Sequence, residues 1–511
     1  MKTHIILLIT LAYPVLGFDY IEKALSLIDK TKNPCNDFYR HACPLGSPDY
    51  APSAFIDEVV KNVLENNTDS VLNKIEILVD HSSLQGEISL DNLFSNVYKE
   101  LCAAGGNTSL FLSQFEAFML SGPECVYPFC VVHLSKDSNC ERVTSQLKDL
   151  HPEFDAYLAR AKRPSVGGRL KNIYLNLEIY KLNLLVLELH VKGNIQNAVS
   201  ELRSFLSEMK EIIAQMIEET PWARSNNVTD LIEDVAAKIH LTETPQAVYD
   251  ETLANVTELN QKYTNCKNNL APVNEQSVII FCLLYVQHSM KVNAIYDENF
   301  SVDSAFTVYP QISLGFIWYY MMQNSDNIAF KLGAPGFPLA HELSHALIKS
   351  TSYDILTYFS DTASKCIKDQ YSEFCLEYRE KSCEIRDDMA DDNGADVLGL
   401  EIALTLLHRK FANDELRDTY KETDIQLNQL FFYSAAMSFC SGRKTYSDPR
   451  DPHAPLNVRV NAFANHPDFQ EAFKCEASSR MMSTKTQHCS IYGKDAPAQR
   501  RRLAPNWISK I

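Results

Sequence analysis

The chain has 511 residues, a formal net charge of −17 at pH 7 and 14 cysteines. Such a negative charge argues against nucleic acid or an anionic membrane surface as a partner, because both would repel the protein. The length is enough for two or three domains, or for one large body with two lobes. The even number of cysteines, spread from Cys35 to Cys489, predicts disulfides formed in an oxidising compartment.

The first residues have the layout of a secretory signal. Residues 1–4 form a short basic segment, residues 5–16 are mostly apolar, and the small Gly17 precedes a polar segment. An apolar run of about a dozen residues is too short to span a bilayer comfortably. We therefore predict a cleaved signal peptide over residues 1–17 and a secreted, extracellular chain without a membrane span; an uncleaved anchor is the alternative. Sequons for N-glycosylation occur at Asn66, Asn107, Asn227, Asn255 and Asn299.

Composition and apolar spacing predict a predominantly α-helical chain. It has only 16 glycines, and long stretches contain neither proline nor glycine. Apolar residues recur at helical spacing in several segments, which predicts helices with one buried face. The clearest stripe consists of Leu202, Phe205, Leu206, Met209, Ile213 and Met216, and similar patterns occupy residues 54–64, 231–240 and 397–411. We interpret the methionines and phenylalanines of the stripe as ordinary core.

The motif that carries chemistry is His341-Glu342-Leu343-Ser344-His345, which follows Pro338 at a possible helix start. On a helix, His341 and His345 lie one turn apart on one face, so both imidazoles can bind one zinc ion. Glu342 lies beside them and can take a proton from the water that attacks a peptide carbonyl. A helix with two surface histidines is the alternative, but the apolar residues on both sides of the motif disfavour it.

A zinc hydrolase needs a third protein ligand and one open position. The acidic segment 383–394 is the best source of this third ligand. Its acidic residues at i, i+4 spacing could place one carboxylate on the metal and another behind a ligand histidine. The alternative is an acidic, solvated helix start, where carboxylates are favoured in any case.

Five segments in order along the chain resemble one family. They are residues 34–43, Asn293-Ala294-Ile295-Tyr296, the H-E-x-x-H motif, Asp387-x-x-Ala390-Asp391-x-x-Gly394, and a C-terminal group with residues 451–459 and 471–475. Together they are similar to the signatures of the neprilysin and endothelin-converting enzyme family of zinc metallopeptidases. The zinc-helix motif is common to many metallopeptidases, whereas residues 35–43 and 453–459 resemble this family specifically.

The resemblance implies a metal site with one zinc ion per chain. His341, His345 and Asp387 would be the ligands, and Glu342 would be the general base. Asp391 would correspond to the family's acidic residue that supports a ligand histidine. The family has Glu where this chain has Asp387, one methylene shorter. A register shifted by one residue, with Asp388 as ligand and Asp392 behind it, stays open.

The resemblance also implies a substrate site. His453 would stabilise the negative charge that develops on the carbonyl oxygen. Arg459 would hold the substrate backbone, and Asn293 and Ala294 would lie on the strand that pairs with the substrate. The family's N-terminal cysteines join C-terminal ones, which suggests the disulfides Cys35–Cys475 and Cys43–Cys440 and, as a weaker suggestion, Cys375–Cys489.

The implied fold is predominantly α and two-lobed, with a thermolysin-like catalytic lobe. Residues 18–290 would form the lobe that covers the cavity, with its first residues docked on the catalytic lobe, and residues 291–511 would form the zinc-binding lobe and a C-terminal tail. The implied function is a secreted zinc endopeptidase that hydrolyses small peptides. The alternative is a secreted peptide- or protein-binding homologue with weakened or lost catalysis. The sequence does not specify an oligomeric state.

Overall fold

The computed structural model describes a part of the chain that contains most of the predicted site. The described residues are 20–26, 28–43, 195–242, 260–270, 278, 279, 282, 305–323, 325–349, 360–378, 383–437, 439, 440, 452–483 and 488–497. The predicted signal peptide and the predicted substrate-strand residues Asn293 and Ala294 lie outside them.

The chain divides into two compact units. The first comprises Met1–Phe55, Asn197–Leu241 and Ala305–Ile511, and the second comprises Ile56–Gln196 and Thr242–Ser304. The unit that contains the H-E-x-x-H helix thus includes two segments that precede residue 290. The boundary between residues 290 and 291 stays a prediction.

The described residues are predominantly helical, as predicted. The helices are α1 (Tyr20–Ser26), α2 (Phe38–Ala42), α3 (Ile195–Glu219), α4 (Pro221–Asn226), α5 (Thr229–Lys238), α6 (Phe316–Gln323), α7 (Ile328–Lys331), α8 (Phe337–Ile348), α9 (Asp361–Tyr378), α10 (Ala390–Lys410), α11 (Leu427–Met437), α12 (Leu456–Asn461), α13 (Pro467–Phe473) and α14 (Arg480–Ser483). A π-helical turn, Leu332–Gly336, leads directly into α8, and 3₁₀ turns occur at Asp387–Met389, Glu415–Arg417 and Ala462–Asn465.

One small sheet accompanies these helices in the first unit. Its strands are β1 (His240–Leu241), β2 (Ala305–Val308) and β3 (Gln311–Leu314), in the order β1-β3-β2. β2 and β3 are antiparallel with Thr307 opposite Ile312, and β1 runs parallel to β3. Because β3 lies in the middle, β2 is an edge strand of this sheet, and it packs beside α8.

The apolar stripe predicted for residues 202–216 lies on α3. Leu202, Met209 and Ile213 are completely buried, whereas Met216 is only half-buried. Among the described residues, no helix is both long enough and apolar enough to cross a membrane.

Contacts of α3 and α4 explain why the first unit includes residues that precede residue 290. The indole Nε1 of Trp222 donates a hydrogen bond to the carbonyl of Ile491 at 2.9 Å, and its ring packs against Tyr492. Lys331, just before the π-helical turn, forms a part-buried ion pair with Glu201 at 2.7 Å. These contacts join residues 197–241 to the C-terminal half of the chain, which sequence patterns along one segment could not indicate.

The N-terminal segment is fixed to the same unit by aromatic packing and two disulfides. Phe38 on α2 is completely buried and packs edge-on against Phe469, with ring centroids 4.9 Å apart. The predicted pairs Cys35–Cys475 and Cys43–Cys440 are both present. These contacts join the first residues to the unit that contains α8. Their docking on a catalytic lobe stays a prediction.

The third suggested disulfide is wrong. Cys489 pairs with Cys366, and Cys375 pairs with Cys383. Cys366 and Cys375 are nine residues apart on α9, about two and a half turns, so their side chains leave opposite faces of the helix. Only one of them can therefore meet Cys489.

α8 packs more extensively against α10 than against any other element. Asp392, Asp396 and Gly399 share one face of α10, because they are four and then three residues apart. A Cβ atom built at Gly399 would lie 2.8 Å from both the backbone nitrogen and the Cα of His341. Glycine at this position therefore permits the close approach that brings the two acidic residues to the histidines.

This packing gives a first prediction. Gly399→Ala should push α10 away from α8 and reduce the free energy of unfolding by on the order of 1–3 kcal/mol, the usual cost of overpacking. The same displacement should weaken metal binding. Denaturant unfolding and zinc titration would measure both, with Arg409→Ala at the exposed end of α10 as a control that changes stability by less than about 0.5 kcal/mol. Unchanged stability and zinc affinity in Gly399→Ala would show that the helices do not rely on this contact.

Candidate active site

The H-E-x-x-H motif forms the middle of α8, as the sequence predicts. His341 and Glu342 are buried, and only His345 within the motif is half-buried. The two imidazoles stand nearly perpendicular, with Nε2 atoms 3.1 Å apart. The helix therefore presents both nitrogens to one point, as a shared metal ion requires.

Asp392, on α10, completes a group of three possible metal ligands. Its Oδ1 lies 3.5 Å from His345 Nε2 and 3.8 Å from His341 Nε2, and all three donor atoms lie within 4.8 Å of one another. Zinc–nitrogen and zinc–oxygen bonds of about 2 Å in a tetrahedral site separate the ligand atoms by about 3.3 Å. The donor set and its spacing therefore fit zinc.

The predicted third ligand, Asp387, lies elsewhere. Its side chain is 89% exposed and pairs with Lys368. The alternative ligand Asp388 is also exposed and pairs with Arg386 at 2.9 Å. Both residues belong to the 3₁₀ turn that precedes α10. The face of α10 that meets α8 contains Asp392, Asp396 and Gly399 instead. The structure thus corrects both predicted registers and brings Asp392 to the histidines.

Asp391 and Asp396 lie on the far sides of the two imidazoles. Asp391 Oδ1 is 3.3 Å from His345 Nδ1, and Asp396 Oδ1 is 3.0 Å from His341 Nδ1, although neither Asp391 Oδ1 nor His341 Nδ1 makes a well-aligned hydrogen bond. A carboxylate behind a ligand histidine fixes its ring and its tautomer. Asp391, which the sequence predicts to support a ligand histidine, lies beside His345. Asp396 lies beside His341 in the same way, and the sequence analysis did not single it out.

Arg459 is buried and lies behind Asp396. Its Nε and Nη2 donate hydrogen bonds of 2.7 and 2.6 Å to the two carboxylate oxygens of Asp396, and its guanidinium stacks 4.5 Å from the ring centre of Phe439. Asp396 also accepts a hydrogen bond from the hydroxyl of Tyr371 at 3.1 Å. Arg459 therefore holds the carboxylate that faces His341, and its remaining nitrogen, Nη1, is not engaged by Asp396.

The charges in this group are strongly coupled. Burial alone would lower the pKa of His345, but the nearby carboxylates of Asp391 and Asp392 outweigh burial and raise that pKa to about 10. Burial would raise the pKa of Asp392, yet its contacts with His345 and His453 hold that pKa well below its usual range. Burial likewise opposes ionisation of Asp396, while Arg459 and His341 keep its pKa low. Ionised Asp392 and Asp396 make the pocket attractive to a cation.

Glu342 points toward the small sheet. Its Oε2 accepts a hydrogen bond of 3.0 Å from the hydroxyl of Thr307, on the edge strand β2. That hydroxyl also lies 2.7 Å from the backbone carbonyl of Glu342. The contact orients the carboxylate without making it part of the three-residue group.

His453 lies at the open edge of the cluster, before α12. Its side chain is 42% exposed, and its Nε2 is 3.0 Å from Asp392 Oδ1. The structure therefore brings together six of the predicted site residues, namely His341, Glu342, His345, Asp391, His453 and Arg459. It excludes Asp387 from the group, and Asn293 and Ala294 are not described.

The sequence contains the pair Asp392 and Asp396 as a second copy of the same acidic pattern. Asp392-Asn393-Gly394-Ala395-Asp396-Val397-Leu398-Gly399 has the same D-x-x-A-D-x-x-G spacing as the segment that begins at Asp387, five residues later. Both copies satisfy the pattern equally. Only the second copy ends in the glycine that touches His341.

Comparison with known proteins supports this geometry. Residues 317–489 match the model of peptidase family M13. This segment belongs to peptidase family M13. The M13 segment contains the whole cluster from His341 to Arg459, and it confirms the predicted resemblance to neprilysin and the endothelin-converting enzymes. Together with the helical content of the described residues, the M13 match confirms the predicted neprilysin-like fold class.

Individual relatives of the M13 segment are distant. The Kell blood group glycoprotein of Homo sapiens is 27% identical over 42% of this chain and 29% of its own length. Neprilysin-1 of Caenorhabditis elegans is 31% identical over 31% of this chain and 23% of its own length. The solved Haemonchus galactose containing glycoprotein complex is 13% identical over 93% of this chain and 98% of its own, with a TM-score of 0.48. The chain thus spans less than a third of the length of these two curated relatives.

Proposed function

We propose that this chain is a secreted zinc-dependent endopeptidase that hydrolyses small peptides. The observation that carries the proposal is the convergence of His341, His345 and Asp392 on one point beside a buried glutamate, within an M13 segment. Two imidazole nitrogens and one carboxylate oxygen form the ligand set of a catalytic zinc site, which keeps one position open. His341, His345 and Asp392 would hold the metal.

Zinc in such a site supplies a Lewis acid that makes a water molecule nucleophilic near neutral pH and polarises a carbonyl. The protein's own residues then divide the remaining work. The carboxylate of Glu342, oriented by Thr307, accepts the proton of the attacking water and passes it to the leaving amine. Asp396 holds His341 from behind, and Arg459 keeps Asp396 ionised and in place.

His453 and Arg459 complete the proposed substrate site. His453 is the half-exposed group nearest the ligands and can donate a hydrogen bond to an oxygen that becomes negative during attack. Arg459 can use its Nη1 for a substrate carbonyl while Asp396 occupies its other nitrogens. The strand role of Asn293 and Ala294 stays a prediction.

A second candidate function is a binding protein with weakened catalysis. Asp392, rather than the Glu of the family signature, completes the ligand group, and a shorter side chain demands a closer approach of α10. The distances of 3.5 and 3.8 Å from Asp392 to the histidine nitrogens support a ligand role for Asp392 despite its shorter side chain.

Zinc content and peptide turnover of the purified wild-type protein separate the two candidates. We expect at least one tightly held zinc ion per chain and hydrolysis of short peptides that a chelator abolishes and added zinc restores. Stoichiometric zinc without turnover of a diverse peptide mixture would favour the binding protein. Absence of tightly bound zinc would contradict the enzyme.

His453 gives a test of the substrate site. His453→Ala should reduce kcat by about 100- to 1000-fold, because it removes a group that meets charge only during the reaction. Zinc content should stay unchanged, since His453 is not among the proposed ligands. Steady-state kinetics with metal analysis would measure both, and His240→Ala, at an exposed position of β1, is the matched control. Loss of zinc from His453→Ala would instead identify His453 as a ligand.

A further inference from the structure

A second group of metal-ligating side chains lies in the same unit as the M13 site. It consists of Glu401 on α10, His466 at the start of α13 and His488 in the C-terminal segment, and their donor atoms lie within 4.8 Å of one another. Glu401 follows Asp392 by nine residues, which corresponds to about 13 Å along a helix axis. The two groups therefore share no residue and are separate sites.

The geometry of this group resembles that of the first. Glu401 Oε2 lies 3.0 Å from His466 Nε2 and 3.3 Å from His488 Nε2. The two imidazoles are perpendicular, at 89°, with centroids 5.2 Å apart, whereas those of His341 and His345 are at 87° and 4.7 Å. Ligand atoms of a tetrahedral zinc site are about 3.3 Å apart, so both nitrogen–oxygen distances match the edges of such a site.

The surroundings restrain each ligand. His488 precedes Cys489, whose disulfide with Cys366 anchors this segment to α9. His466 is buried and acts as the cap of α13, where its Nδ1 accepts a hydrogen bond from the backbone N–H of Asp468. The cap and the disulfide thus hold both histidines near the positions that a metal would require, which reduces the entropy lost on binding.

The protons also balance. With Nδ1 of His466 as an acceptor, its Nε2 carries the proton and donates to Glu401. A metal ligand must present an unprotonated Nε2, so binding moves that proton to Nδ1. The cap hydrogen bond from the Asp468 backbone N–H is then given up for a contact toward Asp468 Oδ1, which lies 3.9 Å from Nδ1 in the metal-free arrangement. A small rotation of the ring would bring Nδ1 within hydrogen-bond distance of Asp468, which would then support a ligand histidine, the role proposed for Asp391 and Asp396 in the first group.

We propose that Glu401, His466 and His488 form a second divalent-metal site, best suited to zinc, that ties the C-terminal segment to α10 and α13. Two imidazoles and one carboxylate suit zinc better than calcium or magnesium, which prefer oxygen ligands. Glu401 and His488 are about one-third exposed, so a water molecule can occupy the fourth position. The site has a structural role, since it links three segments far apart in the sequence and lies away from Glu342.

Metal counting on the full-length protein tests this proposal. The protein is stripped with a chelator, reloaded with zinc, freed of loose metal by gel filtration and analysed by mass spectrometry of the metal. We expect two zinc ions per chain for wild type, one for His488→Gln and one for His341→Ala. Zinc should also raise the Tm of His341→Ala but not that of the double variant His341→Ala, His488→Gln. His341→Ala removes a ligand of the proposed catalytic site only, so a zinc ion that remains in this variant occupies the second site.

The controls keep the proposal open to contradiction. His408→Ala removes a neighbouring histidine that pairs with Asp468 but is outside the donor group, and it should still bind two zinc ions. If His488→Gln does not fold, Glu401→Gln, which keeps the size of the side chain, should give the same count of one. The proposal would be overturned if both substitutions left the zinc count at the wild-type value, or if His408→Ala lost as much zinc as they do. Glu401 would then be only the partner of two hydrogen-bonded histidines.

Discussion

We expect Glu342→Gln to retain zinc and lose nearly all peptide hydrolysis. Glutamine keeps the shape of the side chain and can still accept a hydrogen bond from Thr307, but it cannot accept a proton at neutral pH. Removing a general base lowers the rate by about 100- to 10,000-fold. The affected quantity should be kcat rather than KM, because the proton transfer belongs to the reaction and not to substrate binding.

Single-turnover kinetics and metal analysis of the same preparation would test this expectation. Thr307→Val is the informative companion, since it removes the hydroxyl that orients the Glu342 carboxylate and leaves the carboxylate itself in place. It should reduce kcat less than Glu342→Gln does and leave the zinc content unchanged. If Glu342→Gln hydrolyses peptides at the wild-type rate, either Glu342 is not the base or the chain does not use this site for hydrolysis.

Asp392→Ala should have the largest effect on metal binding among the acidic residues of the segment. The substitution removes one of the three proposed ligand atoms and leaves the two histidines. We expect zinc affinity to fall by more than about 100-fold, since even a residue that only supports a ligand is worth about 10- to 100-fold. Hydrolysis should be lost with the metal.

The matched controls are Asp387, the predicted third ligand, and Asp388, the alternative to it. Asp387 and Asp388 are exposed and pair with Lys368 and Arg386, so alanine at either position should leave zinc affinity and stability nearly unchanged. Competition of each variant with a metal-binding dye gives the three affinities under identical conditions. Asp387→Ala with an affinity as low as that of Asp392→Ala would mean that the first copy of the acidic pattern binds the metal.

The sequence by itself determined the local features of this protein. Helical spacing located the stripe on α3, and the H-E-x-x-H motif located α8, its paired histidines and the glutamate between them. These features depend on residues within one or two turns of each other, and periodicity records such neighbours directly. The resemblance to a known family added what no local pattern contains, namely the pairing of Cys35 with Cys475 and of Cys43 with Cys440.

Only the tertiary structure decided which acidic residues meet the histidines. Two overlapping segments carry the same D-x-x-A-D-x-x-G spacing, and no property of α10 alone distinguishes them. The distinction comes from the contact of Gly399 with the backbone of His341, which fixes α10 along α8 and turns Asp392 and Asp396 toward the imidazoles. The group of Glu401, His466 and His488 was equally hidden, because its three residues come from segments up to 87 residues apart. Their proximity results from how α10, α13 and the C-terminal segment pack, and packing is a property of the folded chain.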